Sequence, residues 1–73
     1  MSYGVILTCD LPERGLSAGD IGKAVLVHCS AAGCEVEFTS LDGDTIAVVT
    51  LIATQVRPAQ TGEIAHVRAL TAA

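Results

Sequence analysis

The chain has 73 residues, 51% of them apolar and 16% charged, with a formal net charge of −4. One domain fits that length, and a chain so short buries only about 60–65% of its unfolded surface, so association with another copy would help stabilise it. Its four basic residues, Arg14, Lys23, Arg57 and Arg68, leave nothing to neutralise a run of phosphates, which argues against nucleic acid as a partner.

Residues 3–9 alternate Val5, Leu7 and Cys9 against Ile6 and Thr8, which predicts a first strand. The loop that follows, Asp10-Leu11-Pro12-Glu13-Arg14-Gly15-Leu16-Ser17-Ala18-Gly19-Asp20, carries a proline and two glycines and excludes a strand or a long helix. Gly22 opens a second strand over residues 23–29, where Val25 and Val27 alternate with Ala24, Leu26 and His28. A four-residue connection, Ser30-Ala31-Ala32-Gly33, ends in a residue able to take φ > 0 and predicts a hairpin. The third strand, residues 34–39, sets Glu35 and Glu37 in water against Val36 and Phe38 in the core. After an Asp42-Gly43 turn, a fourth strand over residues 45–52 alternates Ala47, Val49 and Leu51 with Ile46, Val48 and Thr50. Both its faces are apolar, and one is expected to meet another protein surface.

Residues 53–56 fit a single helical turn, and residues 57–59 a short last strand that closes the barrel, with Pro58 confining it to an edge. Beyond it, Thr61 is placed to cap a short helix in which Ile64, Val67 and Leu70 recur every three residues. About ten residues cannot hold a helix alone, so this tail is expected to dock on its own barrel or on a neighbour's. The fold expected is all-β, a small SH3-like barrel of about five strands over residues 1–60, with a tail over residues 61–73 that forms a short helix or strand. The longest unbroken apolar runs, residues 24–27 and 46–49, fall far short of the ~20 residues of a spanning helix. With no basic, cleavable N-terminal signal, a cytoplasmic location is expected.

Four segments, Asp10-Leu11-Pro12-Glu13-x-Gly15-Leu16 (x being any residue), Gly19-Asp20-Ile21-Gly22, Glu35-Val36-Glu37-Phe38 and Gln55-Val56-Arg57-Pro58, together resemble a small bacterial family, the domain of unknown function 4926. The likeness runs over residues 5–58 and extends to the Glu63-Ile64-Ala65-His66-Val67-Arg68 tail. It implies an SH3-like barrel and transfers no activity or catalytic residue. Leu26 departs from the family, which commonly has a polar residue in the middle of strand two; facing outward, it would add to an apolar patch.

The chain names no chemistry as clearly as it names a fold. The loop glycines lack a following Lys-Ser/Thr and a helix to form a phosphate cradle, so Gly15, Gly19, Gly22 and, in the later turn, Gly43 are expected to be structural. His28, Cys29 and Cys34 are too few for a metal site, and His28 and Cys29, adjacent in a strand, diverge. No metal and no cofactor is expected. Three cysteines suit reduced, partly buried thiols better than a disulfide framework, although Cys29 and Cys34, flanking the hairpin loop, could face each other and oxidise. Asp10, Glu13, Asp20, Glu35, Glu37, Asp42 and Asp44 fall on turns and outer faces, while acid–base catalysis needs a cavity that a barrel this small fills with side chains. His66, with Arg68 and Glu63, could recognise an anion or set an interface.

The chain is therefore expected to be no enzyme but a protein-interaction module. It would self-associate through the apolar outer faces of strands two and four, with Leu26, Ile46, Val48, Ile64, Val67 and Leu70 at the interface. The alternative is an immunity or antitoxin-like acidic partner of a neighbouring toxic protein. Peptide or single-strand recognition ranks below both, because Tyr3 and Phe38 are the only aromatics and Phe38 is needed inside.

Overall fold

The computed structural model describes residues 2–70, with the backbone alone for residues 2, 3 and 26–28, so the side chain of Leu26 lies outside the described residues. Five strands, β1 (Ser2–Leu7), β2 (Ile21–Ser30), β3 (Gly33–Thr39), β4 (Thr45–Leu51) and β5 (Val56–Pro58), form one antiparallel sheet in the order β4-β3-β2-β1-β5. The sheet curls into a half-barrel, consistent with the small all-β SH3-like barrel expected from the sequence. It does not close, however: β4 and β5 end the order and pair with no strand on their outer sides among the described residues. The cause is local to β5. With three residues ending at Pro58, it pairs only with β1, through Val5↔Pro58, Ile6↔Arg57 and Leu7↔Val56, and proline has no N–H to offer a further ladder.

Alternation along each strand fills the concave face. Val5 and Leu7 from β1, Ala24 from β2, Val36 and Phe38 from β3, and Ala47 and Leu51 from β4 are buried there. Leu16, from the long loop, plugs the same core at 4% exposure. Its placement follows from how that loop folds. Pro12 begins a one-turn 3-10 helix (Pro12–Arg14), Gly15 leaves it at φ 70°, and Leu11 and Leu16 exchange backbone hydrogen bonds of 3.0 and 3.1 Å across it. The far end of the loop is tied down by Gly19 N–H to the Leu7 carbonyl at 2.7 Å and Leu7 N–H to the Asp20 carbonyl at 2.9 Å. Thus a loop with a single helical turn is held by paired backbone groups at both ends.

Gly22 is needed for close approach. A Cβ at Gly22 would lie 2.7 Å from Val36 Cγ1 and 2.9 Å from Phe38 Cε1, so β2 crosses directly over the two central side chains of β3. Gly33, at φ 125°, turns the β2–β3 hairpin where a side chain would collide with the Leu51 carbonyl. Gly15, Gly19 and Gly43 all have positive φ in turns where an added Cβ meets nothing within 4 Å.

Two irregularities shape the sheet. Between β3 and β4 the register jumps from Phe38↔Ala47 to Thr39↔Thr45, making Ile46 the extra residue of a bulge; it is half-buried and packs against the core. Between β2 and β3 the register jumps from Val25↔Glu35 to Ser30↔Gly33. After β5, the helix expected in the tail is absent. Residues 61–70 contain a turn and then run without helix or strand. The reasons are local. Gly62 takes φ 88°, and the Glu63 carboxylate accepts from Gln60 N–H at 2.7 Å and from Arg57, which holds the chain in a turn. A ten-residue helix would also lack the packing needed to repay its nucleation.

Candidate interaction surface

The sequence places Leu26, Ile46 and Val48 on one outer patch, but in the sheet β3 separates β2 from β4. Along one rung, Val48 stands opposite Glu37, and Glu37 opposite Lys23. Glu37 also accepts a 2.8 Å hydrogen bond from the Thr45 hydroxyl. The outer apolar side chain of β4 is therefore cut off from β2 by a polar strand. What remains on β4 is its edge. Val48 is 45% exposed and Ile52, just past the strand, 49%.

The two ends of the sheet differ in chemistry. β5 carries Arg57 and Pro58, a charge and a residue without a donor, both of which discourage strand addition. β4 reads Thr-Ile-Ala-Val-Val-Thr-Leu, with no charge, no proline and no glycine. Its bulge disturbs the Thr45–Ile46 end, and from Ala47 to Leu51 it pairs regularly with β3. Beyond that bulge, such an edge offers a row of backbone donors and acceptors with β-favouring side chains and neither a charge nor a proline to guard it.

The tail is the second exposed apolar feature. Ile64 is 87% exposed, Val67 79% and Leu70 53%. Two ion pairs hold this segment against the half-barrel. Arg57 makes a two-pronged contact with Glu63 at 2.8 and 2.6 Å. Arg68 reaches back to the first loop, donating to both Asp20 carboxylate oxygens at 2.7 and 2.6 Å and to the Gly15 carbonyl at 3.0 Å. Asp20 is prepared for this role because its Oδ2 also accepts from Ser17 N–H at 2.9 Å. Beneath the strap, Arg68, His66 and Leu70 line a cleft of about 430 Å³ with Phe38 and Ile46. His66 and Arg68 thus lie on one cleft, but Arg68 is committed to Asp20 rather than open to an anion.

These contacts set a pH dependence. The Arg68 guanidinium, with help from Ser17 N–H, holds the Asp20 carboxyl below its ordinary value despite partial burial. Arg57, with Gln60 N–H, lowers Glu63 from 4.5 to about 2. A carboxyl whose pKa is depressed by docking contributes above its ordinary pKa and loses that contribution as pH falls toward the docked value. The tail should therefore stay docked at neutral pH and detach in acid, Glu63 letting go between pH 4.5 and about 2. Amide chemical shifts of Glu63, Ile64, Val67 and Arg68 followed from neutral pH into that window should move together. A Glu63 carboxyl titrating at 4.5 would show the pair to be open in solution.

The cysteines do not all stay reduced as expected. Cys29 and Cys34 form a disulfide with their Cα atoms 4.0 Å apart, and Cys9 is a free, half-buried thiol. The pairing follows from the hairpin, in which both cysteines lie between the Val25↔Glu35 and Ser30↔Gly33 pairs. Cys34 also lines, with Ser30, Gly33, Leu51 and Val56, a cleft of about 500 Å³ on the concave side. Among the described residues, no cluster of three or more His, Cys, Asp or Glu side chains could hold a metal ion, and no polar or charged side chain is fully buried. None of the described helices is long and apolar enough to cross a membrane.

These features define a small all-β module, an open and curled five-stranded sheet whose distinctive surfaces are an unguarded edge and a strapped tail. The chain belongs to the family described as Domain of unknown function (DUF4926), whose model matches residues 4–58. That match takes in the sheet through β5 and stops before the strap, which the resemblance read from the sequence had included. No curated protein and no solved structure matches the chain.

Proposed function

We propose that the protein is a non-enzymatic interaction module that associates with a second copy of itself through the outer edge of β4. The observation that carries this reading is the chemistry of that edge: an uncharged, proline-free strand at the end of a sheet whose opposite end is guarded by Arg57 and Pro58. Two β4 strands meeting antiparallel about a two-fold axis would continue the sheet from one copy into the next. Each added backbone hydrogen bond contributes about 0.5–1.5 kcal/mol net. Burial of Val48 and Ile52 adds roughly 25 cal/mol per Å² of apolar area removed from water.

Sedimentation velocity from about 10 μM to about 1 mM, the range in which a small edge interface becomes populated, tests the reading. The wild-type chain should move from monomer toward dimer. Val48→Lys, which places a charge on an outward position and so leaves the core intact, should hold it monomeric. A wild-type chain that stays monomeric throughout would overturn the proposal.

A second reading draws on charge. The net charge is −4, and two of the four cations, Arg57 and Arg68, are already held in ion pairs, which favours a basic protein partner of the immunity or antitoxin kind. Such a complex should form faster at low salt, and a partner rate insensitive to salt would count against it.

A further inference from the structure

We propose that the Cys29–Cys34 disulfide is a redox-set clasp that selects between two registers of the β2–β3 hairpin, opened by a small thiol reductant. Along the first part of the hairpin, Lys23↔Glu37, Ala24↔Val36 and Val25↔Glu35 follow one register, while at its tip Ser30↔Gly33 follows another. Residues 26–29 of β2 therefore stand against Cys34 alone. The first register, simply continued, would pair Leu26 with Cys34 and Val27 with Gly33 and leave residues 28–32 as the loop. The observed tip instead turns tightly through Ala31-Ala32. The two arrangements differ by three residues, an odd shift that exchanges the faces of a strand.

The disulfide sits at this break and joins residues five apart in sequence, so it constrains the hairpin tip and no other part of the sheet. Cys29 is exposed and Cys34 half-buried, which makes the Cys29 sulfur the accessible one. An external thiolate attacks Cys29 Sγ, forming a mixed disulfide and releasing the Cys34 thiolate, which takes a proton from water. A second external thiolate then attacks the external sulfur of that mixed disulfide, leaving as a disulfide of the reductant and freeing the Cys29 thiolate. The two electrons that reduce the protein come from the two reductant thiols. With the clasp open, β2 is free to resume the uninterrupted ladder, and the wall that Ser30, Gly33 and Cys34 give to the concave cleft is rebuilt. The core residues Val5, Leu7, Val36 and Phe38 lie outside the clasped loop and hold the sheet in both states.

The test is NMR on the full chain with and without reduced glutathione, alongside thiol counting. Oxidised protein should show one reactive thiol, Cys9, and cross-strand contacts between Ser30 and Gly33. Reduced protein should show three thiols, contacts between Leu26 and Cys34 and between Val27 and Gly33, and about tenfold faster amide exchange at Cys29 and Ser30, with Val36 and Leu51 unchanged. Cys29→Ser with Cys34→Ser should adopt the reduced pattern without any reductant. Three reactive thiols in oxidised protein, an unchanged Ser30–Gly33 contact on reduction, or unfolding of the whole sheet on reduction would each overturn the proposal.

Discussion

Phe38→Ala is expected to bring the chain to the margin of unfolding at 25 °C. Phe38 is 2% exposed, it is the aromatic ring at the centre of the described core, and it packs against the backbone of Gly22. Truncating a buried phenylalanine costs about 3–5 kcal/mol, part from lost transfer free energy and part from the cavity left behind. A 73-residue domain has a total stability of only about 4–11 kcal/mol, so the loss consumes about a quarter of it at the least. Urea unfolding followed by circular dichroism should show a midpoint lowered by about a quarter or more, or no folded baseline. A shift of only a few tenths of a molar would mean that the ring is not in the core.

Gly22→Val is expected to be nearly as damaging, for the opposite reason. The new side chain has no room: its Cβ alone would meet Val36 Cγ1, Phe38 Cε1 and, at 3.1 Å, the Glu37 carbonyl oxygen. Val36 is 0% exposed and cannot swing into solvent, so β2 must lift away from β3 at the middle of the sheet. Overpacking of this kind costs about 1–3 kcal/mol, and more where backbone has to move. Gly4→Val is the matched control. Gly4 pairs with Lys23 in the same sheet, and a Cβ there meets nothing within 4 Å, so a β-branched residue should be neutral or slightly stabilising. Thermal melts of the two variants should separate widely; equal melting temperatures would contradict the packing of β2 over β3.

The strands themselves were legible because their signal is local. The Glu35/Val36/Glu37/Phe38 alternation gives the buried face of β3 directly, and β1, β2 and β4 fall within about two residues of the bounds expected from alternation and turn residues. Pro58 likewise placed β5 at an edge. What could not be read depends on contacts between distant residues. Nothing in the period-two pattern of β2 announces the jump from Val25↔Glu35 to Ser30↔Gly33, whereas the flanking of the hairpin loop by Cys29 and Cys34 did raise the disulfide as one of two readings. Strand order was the second gap. Strands two and four both look apolar outside, but only the sheet reveals that β3, with Glu35 and Glu37, stands between them. The tail misled for a third reason: Ile64, Val67 and Leu70 have helical spacing, yet Gly62, the local Arg57–Glu63 pair and the long-range Arg68–Asp20 pair decide the conformation.

The edge of β4 bears most of the functional weight, and amide hydrogen exchange followed as a function of protein concentration interrogates it most directly. Amides between Ala47 and Leu51 that point away from β3 should exchange quickly in dilute solution and gain protection as the chain is concentrated, while those of Val56 and Arg57 on the guarded edge stay as they were. Rates along β4 that do not change with concentration would mean that this strand meets water and not a second copy.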